Sequence, residues 1–359
     1  MKVGIVGLSG SGKTTLFRAL TRGAVRVDPH DTKAHVGVVS VPDERVDFLA
    51  ADAKPKKVTH ASIEFIDGAG RVGGDDGRAS FSAGFFADVR QVEALMDVVR
   101  GFPSMAGEAP SPIQDLQTLL DELVLADLQL VENRMQRVEK QLHGVKKGTT
   151  TPATIETALL ERLHKHLEQG QSLKTLELST DDEKSICGYD LLTLKPLMAV
   201  LNIPEAQIGS PSDSTREFHA YCGEAGISVL DLCAEVEMQV AELEDEEEAE
   251  FLESLGIAEP ARNVLIRECY RTLGLLSFFT VGDPEVRAWT LRAGSKAIDA
   301  AGAIHSDLAR GFIRIEVANF DDVKPAGGWE AARKAGAAQL HGKDYEVKDG
   351  DVVYIRFKV

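Results

Sequence analysis

The chain has no apolar run near the ~18 residues that a membrane span needs, and no membrane partner is expected. Its first residues enter an apolar, strand-like run at once. No basic segment leads into a long apolar stretch, so no secretory signal is expected. Cysteine is scarce. Cys187, Cys222, Cys233 and Cys269 are scattered, and none has metal-ligand spacing. That excludes a disulfide framework and a cysteine-bound metal, and it implies reduced thiols in a cytoplasmic protein. Positive charge is in deficit. Forty Lys and Arg against 57 Asp and Glu leave a formal net charge of −17. A general electrostatic coat on nucleic acid is excluded, and DNA is not an expected partner. The deficit is uneven, because from Val281 to Val359 twelve Lys and Arg stand against twelve Asp and Glu. What remains is ordinary for a globular protein: 43% hydrophobic and 27% charged residues. A chain of 359 residues suggests roughly two to three domains.

The most informative stretch is Lys2 to Thr15, K-V-G-I-V-G-L-S-G-S-G-K-T-T. Lys2 to Val6 reads as a buried strand, and Leu16, Phe17 and Leu20 follow at helical spacing. Between them, Gly7 to Thr14 fits G-x-x-x-x-G-K-[ST] at every fixed position. Strand, glycine loop and helix N-terminus in that order are the context in which this motif holds phosphates. Gly10 and Gly12 let the backbone N–H groups of Leu8, Ser9, Ser11 and their neighbours turn into one concavity. The helix adds its positive end there. Lys13 reaches the outer phosphates, the Thr14 hydroxyl ligates Mg²⁺, and Thr15 completes the binding turn.

Further along, Asp28 to His35 reads as a loop, Val36 to Val41 as a strand and Pro42 to Asp52 as a short helix, with a turn at Lys54 to Lys57. Ala61 to Ile66 reads as a strand running into Asp67-Gly68-Ala69-Gly70. An aspartate at a strand end, three residues before a glycine, is the second phosphate-site element of P-loop hydrolases. The Asp67 carboxylate sits near Mg²⁺, and the Gly70 N–H meets the terminal phosphate. Gly73 to Gly77 suits a segment ordered by that phosphate. Phe81 to Gln91 reads as a helix and Ala94 to Arg100 as a strand, and Pro103 to Pro112 breaks the pattern. Leu116, Leu119, Leu123 and Ala126, then Val131, Met135, Val138 and Leu142, repeat at helical spacing with one register step between the sets. After a turn at Gly148 to Pro152, Leu159, Leu160, Leu163 and Leu167 return. This reads as an antiparallel helical hairpin, the alternative being two core helices of the main domain. Pro196 to Leu201 and Ile227 to Leu230 read as strands, Glu242 to Glu250 as a solvated acidic face, and Asn263 to Leu275 as a helix. Beyond it, short strands are expected at Phe278 to Val281, Val286 to Leu291, Phe312 to Val317, Tyr345 to Val347 and Val352 to Phe357. Asp349-Gly350 is a hairpin signal, and the whole reads as a small β-rich module.

Together these stretches resemble the YchF-type Obg-like ATPases, a branch of the translation-factor class of P-loop proteins. The likeness covers nearly the whole chain. It is carried by V-G-V-V-S-V-P-D (Val36 to Asp43), L-A-D-L-Q-L-V-E (Leu125 to Glu132), the strand ending in Asn202, L-G-L-L-S-F-F-T-V-G (Leu273 to Gly282), V-R-A-W-T (Val286 to Thr290), R-G-F-I-R (Arg310 to Arg314) and the ending at Lys343 to Val359. The resemblance implies an α/β fold: a P-loop nucleotide domain over 1–112 and 191–275, an inserted helical coiled-coil domain over 113–190, and a TGS-like β-grasp domain over 276–359. It implies a slow Mg²⁺-dependent ATPase that acts as a nucleotide switch. Such a protein is a monomer docking on ribosomes, or a related RNA–protein partner, through the TGS-like and helical domains. It places the second Mg²⁺ ligand at Thr32 and the base-reading residues at Asn202 and Glu205. Guanine-specific relatives carry N-K-x-D, whose aspartate accepts two hydrogen bonds from guanine. Here N-x-x-E ends in the longer Glu205, after the unusual Pro204, and ATP is implied over GTP.

The chain departs from the family at several points. S-G-S-G-K-T stands where P-N-V-G-K-S is usual, and the first switch is shorter. Arg71 follows D-x-x-G, where Ras-like enzymes place a water-positioning glutamine. No histidine lies between His60 and His143, because the segment that carries the family's histidine is trimmed to Pro103–Met105. Cys233-Ala234-Glu235 replaces the family's S-A-K base loop. These departures keep a GTPase and a nucleotide-gated binder with negligible hydrolysis as alternatives. A small-molecule kinase would also fit S-G-S-G-K-T-T, though no acceptor lid is apparent. Glu205 generates one expectation: equilibrium titration of one sample should give tighter binding of ATP than of GTP. Equal or tighter GTP binding would refute the reading of Glu205.

Overall fold

The computed structural model describes residues 1–25, 34–68, 83–104, 106–143 and 151–358. Contacts divide the chain into two units, residues 1–37 with 65–256 and residues 38–64 with 257–359. Strand β1 (Lys2–Val6) leads through the glycine loop into helix α1 (Lys13–Leu20), as the motif requires. Then follow β2 (His35–Ser40), α2 (Glu44–Ala53), β3 (Lys57–Thr59), β4 (Ser62–Asp67), α3 (Ala83–Arg90) and β5 (Ala94–Arg100). Two long helices come next, α4 (Pro112–Leu142) and α5 (Pro152–Glu168), then α6 (Thr180–Ile186), β6 (Leu197–Asn202), α7 (Asp213–Glu224), β7 (Ser228–Leu232), α8 (Ala234–Ala241) and α9 (Asp245–Ser254).

The first sheet has the order β2-β4-β1-β5-β6-β7. β1 pairs in parallel with β5, β5 with β6, and β6 with β7. A parallel sheet is covered on both faces, which is why β5 and β6 read as almost unbroken apolar runs. Parallel pairing also brings the carboxyl ends of β1, β5, β6 and β7 to one edge. The order reverses about β1, and ligands of such sheets sit in the crevice at that reversal.

Helix α4 serves two cores, which explains its register step. Leu116, Leu119 and Leu123 pack with Val92, Leu95, Val99 and Phe218 beside the sheet. Val131 and Val138 pack instead with Leu159, Leu160, Leu163 and Leu167 of α5. Arg134 bonds Glu156 while Glu132 meets His164, so the two helices run antiparallel, as the hairpin reading expects. The turn expected at Gly148 to Pro152 lies mostly outside the described residues. Where α4 changes partners, Asp127 is fully buried. Its Oδ1 accepts from Arg90 Nη1 at 2.9 Å and the Leu192 amide at 3.0 Å. Its Oδ2 accepts from the Thr193 amide at 2.8 Å and the Thr193 hydroxyl at 2.9 Å.

The second unit continues with α10 (Ala261–Thr272), β8 (Leu275–Val281), β9 (Glu285–Arg292), α11 (Ala297–Ile304), α12 (Ser306–Arg310), β10 (Phe312–Asn319), α13 (Phe320–Ala326), α14 (Trp329–Lys334), β11 (Gln339–His341) and β12 (Asp351–Phe357). Its mixed sheet has the order β11-β10-β12-β8-β9-β3. The alanines of α11 let it lie close on Leu276, Phe278, Ile315, Val353 and Ile355. Four expectations are corrected here. Lys57, read as the end of a turn, begins β3, which is too short and polar to show in the sequence. β3 is a strand through its parallel partner β9, with Thr59 and Lys57 both reaching Glu285. Tyr345 to Val347 is not a strand and makes one bridge, Glu346 to Lys296. Asp349-Gly350 is not a hairpin turn, since β12 pairs with β10 and β8. The Asp349 carboxylate accepts from the Ser277 amide and Arg45, which fixes the turn by tertiary contacts. The module also holds four helices over residues 297–334, so it is α+β and not simply β-rich.

Removing one partner of a buried, fully bonded carboxylate leaves the others unpaired. Asp127→Ala should therefore lower the unfolding free energy by about 3 kcal/mol, read by urea denaturation, with Asp127→Asn milder. Wild-type stability of Asp127→Ala would show that the network is not what joins the helices to the sheet.

Candidate nucleotide-binding site

The loop after β1 is shaped by two close approaches. Gly7 has φ +134°, and a Cβ there would lie 2.4 Å from the Val98 carbonyl. Gly12 has φ +97°, and a Cβ there would lie 2.2 Å from Asn202 Nδ2. Both positions exclude any side chain. Gly12 is also the N-cap of α1 and offers no side-chain cap. The first N–H groups of the helix are thus left for a ligand, and no acidic residue in the first turn competes with an anion.

Lys13 Nζ donates to the Gly7 carbonyl at 2.9 Å and the Leu8 carbonyl at 2.7 Å, which folds the side chain over its own loop. Burial draws the ammonium below its ordinary pKa, while the charges of Asp67 and Asp97 oppose the shift. The Thr14 hydroxyl donates to Asp67 Oδ2 at 3.1 Å. Burial raises the Asp67 carboxyl, against the Thr14 hydrogen bond and the Lys13 charge. Hydroxyl and carboxylate are hard oxygen donors of the kind that hold Mg²⁺ beside phosphate. Ser9, Gly10 and Thr14 are exposed, Leu8 and Thr15 half-buried, and Ser11 buried.

Asn202, expected at the base, is buried and braces the loop. Its Nδ2 donates to the Ser11 carbonyl at 2.9 Å, and its Oδ1 accepts from the Ala234 amide at 2.9 Å. Glu205 is exposed in the single 3-10 turn Glu205–Gln207 after Pro204. With Ala206, Ile208 and Leu255 it lines an open cavity of about 380 Å³. Thr32, Gly70, Arg71, the segment Gly73 to Gly77 and Met105 lie outside the described residues. One group beside the loop escaped the sequence reading. Asp97 on β5 is 2% exposed, and its Oδ2 has no hydrogen-bond partner among the described residues. Burial holds that carboxyl well above the usual range. Its signal was a lone acid inside the apolar strand A-L-M-D-V-V-R. The hydroxyl of Ser11, a residue of the loop that the motif marks, is also buried without a hydrogen-bond partner among the described residues.

Comparison with known proteins points the same way. The family model YchF-GTPase_C, described as a protein of unknown function (DUF933), matches residues 275–358. The chain is 38% identical to the "Ribosome-binding ATPase YchF" of Bacillus subtilis, over all of both chains. It is 39% identical to the protein of that name from Escherichia coli O157:H7, over all of this chain and 99% of that one. The chain belongs to the YchF family. A solved structure of the Schizosaccharomyces pombe YchF GTPase superposes with a TM-score of 0.85 at 29% identity, covering 99% of this chain and 97% of that one. The α/β architecture described above is thus that of a YchF protein along its whole length.

The Asn202 brace generates a prediction for this YchF protein. Asn202→Ala frees the Ser11 carbonyl and the Ala234 amide, and nucleoside triphosphate affinity should fall by roughly tenfold in a fluorescent-nucleotide titration. Unchanged affinity would refute the brace.

Proposed function

We propose that this chain is a slow, Mg²⁺-dependent ATPase that works as a nucleotide switch on ribosomes. The observation that carries the reading is the Thr14–Asp67 pair, 3.1 Å apart, beside a glycine cradle closed by Lys13. Thr14 and Asp67 would hold Mg²⁺, with Thr32 as a further ligand. The cation supplies charge neutralisation on the outer phosphates. Lys13 and the backbone N–H groups of residues 8–15 hold and orient those phosphates, and Gly70 meets the terminal one. The cradle fits the group, because α1 begins without a side-chain cap and carries no acidic residue in its first turn, which leaves its first N–H donors to an anion.

ATP in preference to GTP rests on Glu205, whose longer carboxylate is misplaced for guanine. The bacterial relatives are named ATPases and the fission-yeast one a GTPase, so a GTPase stays the second reading. Slow turnover rests on Arg71 in place of a water-positioning glutamine, and on the lack of any histidine between His60 and His143. A guanidinium is no general base at neutral pH. The domain reading is the nucleotide domain over 1–112 and 191–275, the helical insert over 113–190 and the TGS-like β-grasp over 276–359. The β-grasp is supported by β12 lying parallel to β8 between two antiparallel pairs. The ribosome as partner follows the name of the bacterial relatives, which also supports a cytoplasmic location. No described helix is long and apolar enough to cross a membrane. A monomer is the proposed form.

Lys13→Ala should abolish ATP binding and leave the circular dichroism spectrum unchanged. Single-turnover phosphate release by the wild type should be slow alone and faster with purified ribosomes. ATP binding by Lys13→Ala would refute the site. Fast release by the isolated protein would refute slow turnover.

A further inference from the structure

Asp97 lies on the face of β5 that is otherwise apolar. Its neighbours on that face, Leu95 and Val99, pack in one core with Leu116 of α4 and with Phe218 and Cys222 of α7. In the sheet Asp97 stands beside Val6 of β1 and Ala199 of β6, so neither neighbouring strand places a charge there. Its side chain adjoins the start of the phosphate loop. A Cβ on Gly7 would lie 3.0 Å from Asp97 Oδ1, and the Gly7 carbonyl accepts from Lys13 Nζ at 2.9 Å. Carboxyl and ammonium thus border the same residue.

The charges around Asp97 come from three elements. Lys13, at the start of α1, is the one cation among the described residues that favours the ionised carboxyl. Asp115 on α4 opposes ionisation, and is itself partly offset by Arg100. The Cys222 thiol on α7 is pushed up to about 11 by burial and then by the Asp97 charge, so it adds no charge at neutral pH. Asp97 Oδ2 has no hydrogen-bond partner among the described residues. A carboxylate buried in this way gives up its hydration and gains little besides the field of Lys13. Lys13 is also the residue assigned to the outer phosphates. A triphosphate brings several negative charges to the same ammonium, and a proton on Asp97 relieves their repulsion with the buried carboxylate.

We propose that Asp97 takes up one proton from solvent when a nucleoside triphosphate binds, which leaves the Lys13 charge to the phosphates. Asp97 is a positioning residue, since it acts through Lys13. The inference rests on the nucleotide-site reading for the identity of the ligand. Burial already holds the carboxyl well above the usual range. The complex retains the proton to a higher pH than the protein alone does. Affinity for the triphosphate is therefore constant below both pKa values, falls as pH rises between them, and levels off above both.

The test uses the full chain, ATP and Mg²⁺ in titration calorimetry, in pairs of buffers that differ in ionisation enthalpy. The range is about pH 7.5 to 9.5, above the second ionisation of a phosphate ester near about 6 and below an ordinary lysine. The wild type should take up close to about one proton per ATP, and its Kd should rise by up to about tenfold per pH unit. Asp97→Asn, which keeps the shape of the side chain without its ionisation, should take up no proton and bind ATP with a Kd independent of pH. Urea denaturation checks that this variant is folded. A pH dependence that Asp97→Asn retains belongs to Lys13 and overturns the proposal. Wild-type binding without proton uptake anywhere in the range also overturns it, needs no variant, and leaves the nucleotide site standing. A wild type that binds no ATP at any pH removes the nucleotide site and this inference together.

Discussion

The amide of Asn202 holds together three segments distant in sequence. It bonds the Ser11 carbonyl of the phosphate loop and the backbone amide that opens α8, from its own place at the end of β6. A loop rich in glycine has high conformational freedom, and a phosphate cradle is useful only if that freedom is already spent. The side chain fits because Gly12 has no Cβ, so glycine and asparagine constrain each other. The parallel pairing of β1, β5 and β6 makes the geometry available by bringing strand ends to one edge.

The electrostatics of the site follow from the same enclosure. Lys13 sits where burial disfavours its charge, and its two hydrogen bonds are to the loop's own carbonyls. Asp67 and Asp97 are buried acids on either side of β1, each raised by desolvation. A polyphosphate at this loop would meet backbone donors that are already oriented.

Much of this was legible in the chain itself. Strand β1, the phosphate loop and α1 appear in sequence order because the motif dictates local backbone geometry. β5 and β6 appear because strands covered on both faces must be apolar. Glu205 was readable only through its place after Asn202. Asn202 was expected at the site from the sequence, but its bracing contact was not legible there, since Ser11 and Ala234 lie 191 and 32 residues away.

Residue order alone determined the glycine loop between β1 and α1, the antiparallel helices α4 and α5, and most strands of the two sheets, because each is written in local periodicity or in steric needs of the backbone. Tertiary structure alone decided that Lys57–Thr59 is a strand, that Tyr345 to Val347 is not, and that Asp97 is a buried acid whose Oδ2 has no hydrogen-bond partner among the described residues. A strand exists only when a neighbour offers its hydrogen-bonding edge, and a carboxyl is buried only when other elements close over it. Both conditions depend on residues far along the chain, which local sequence does not carry.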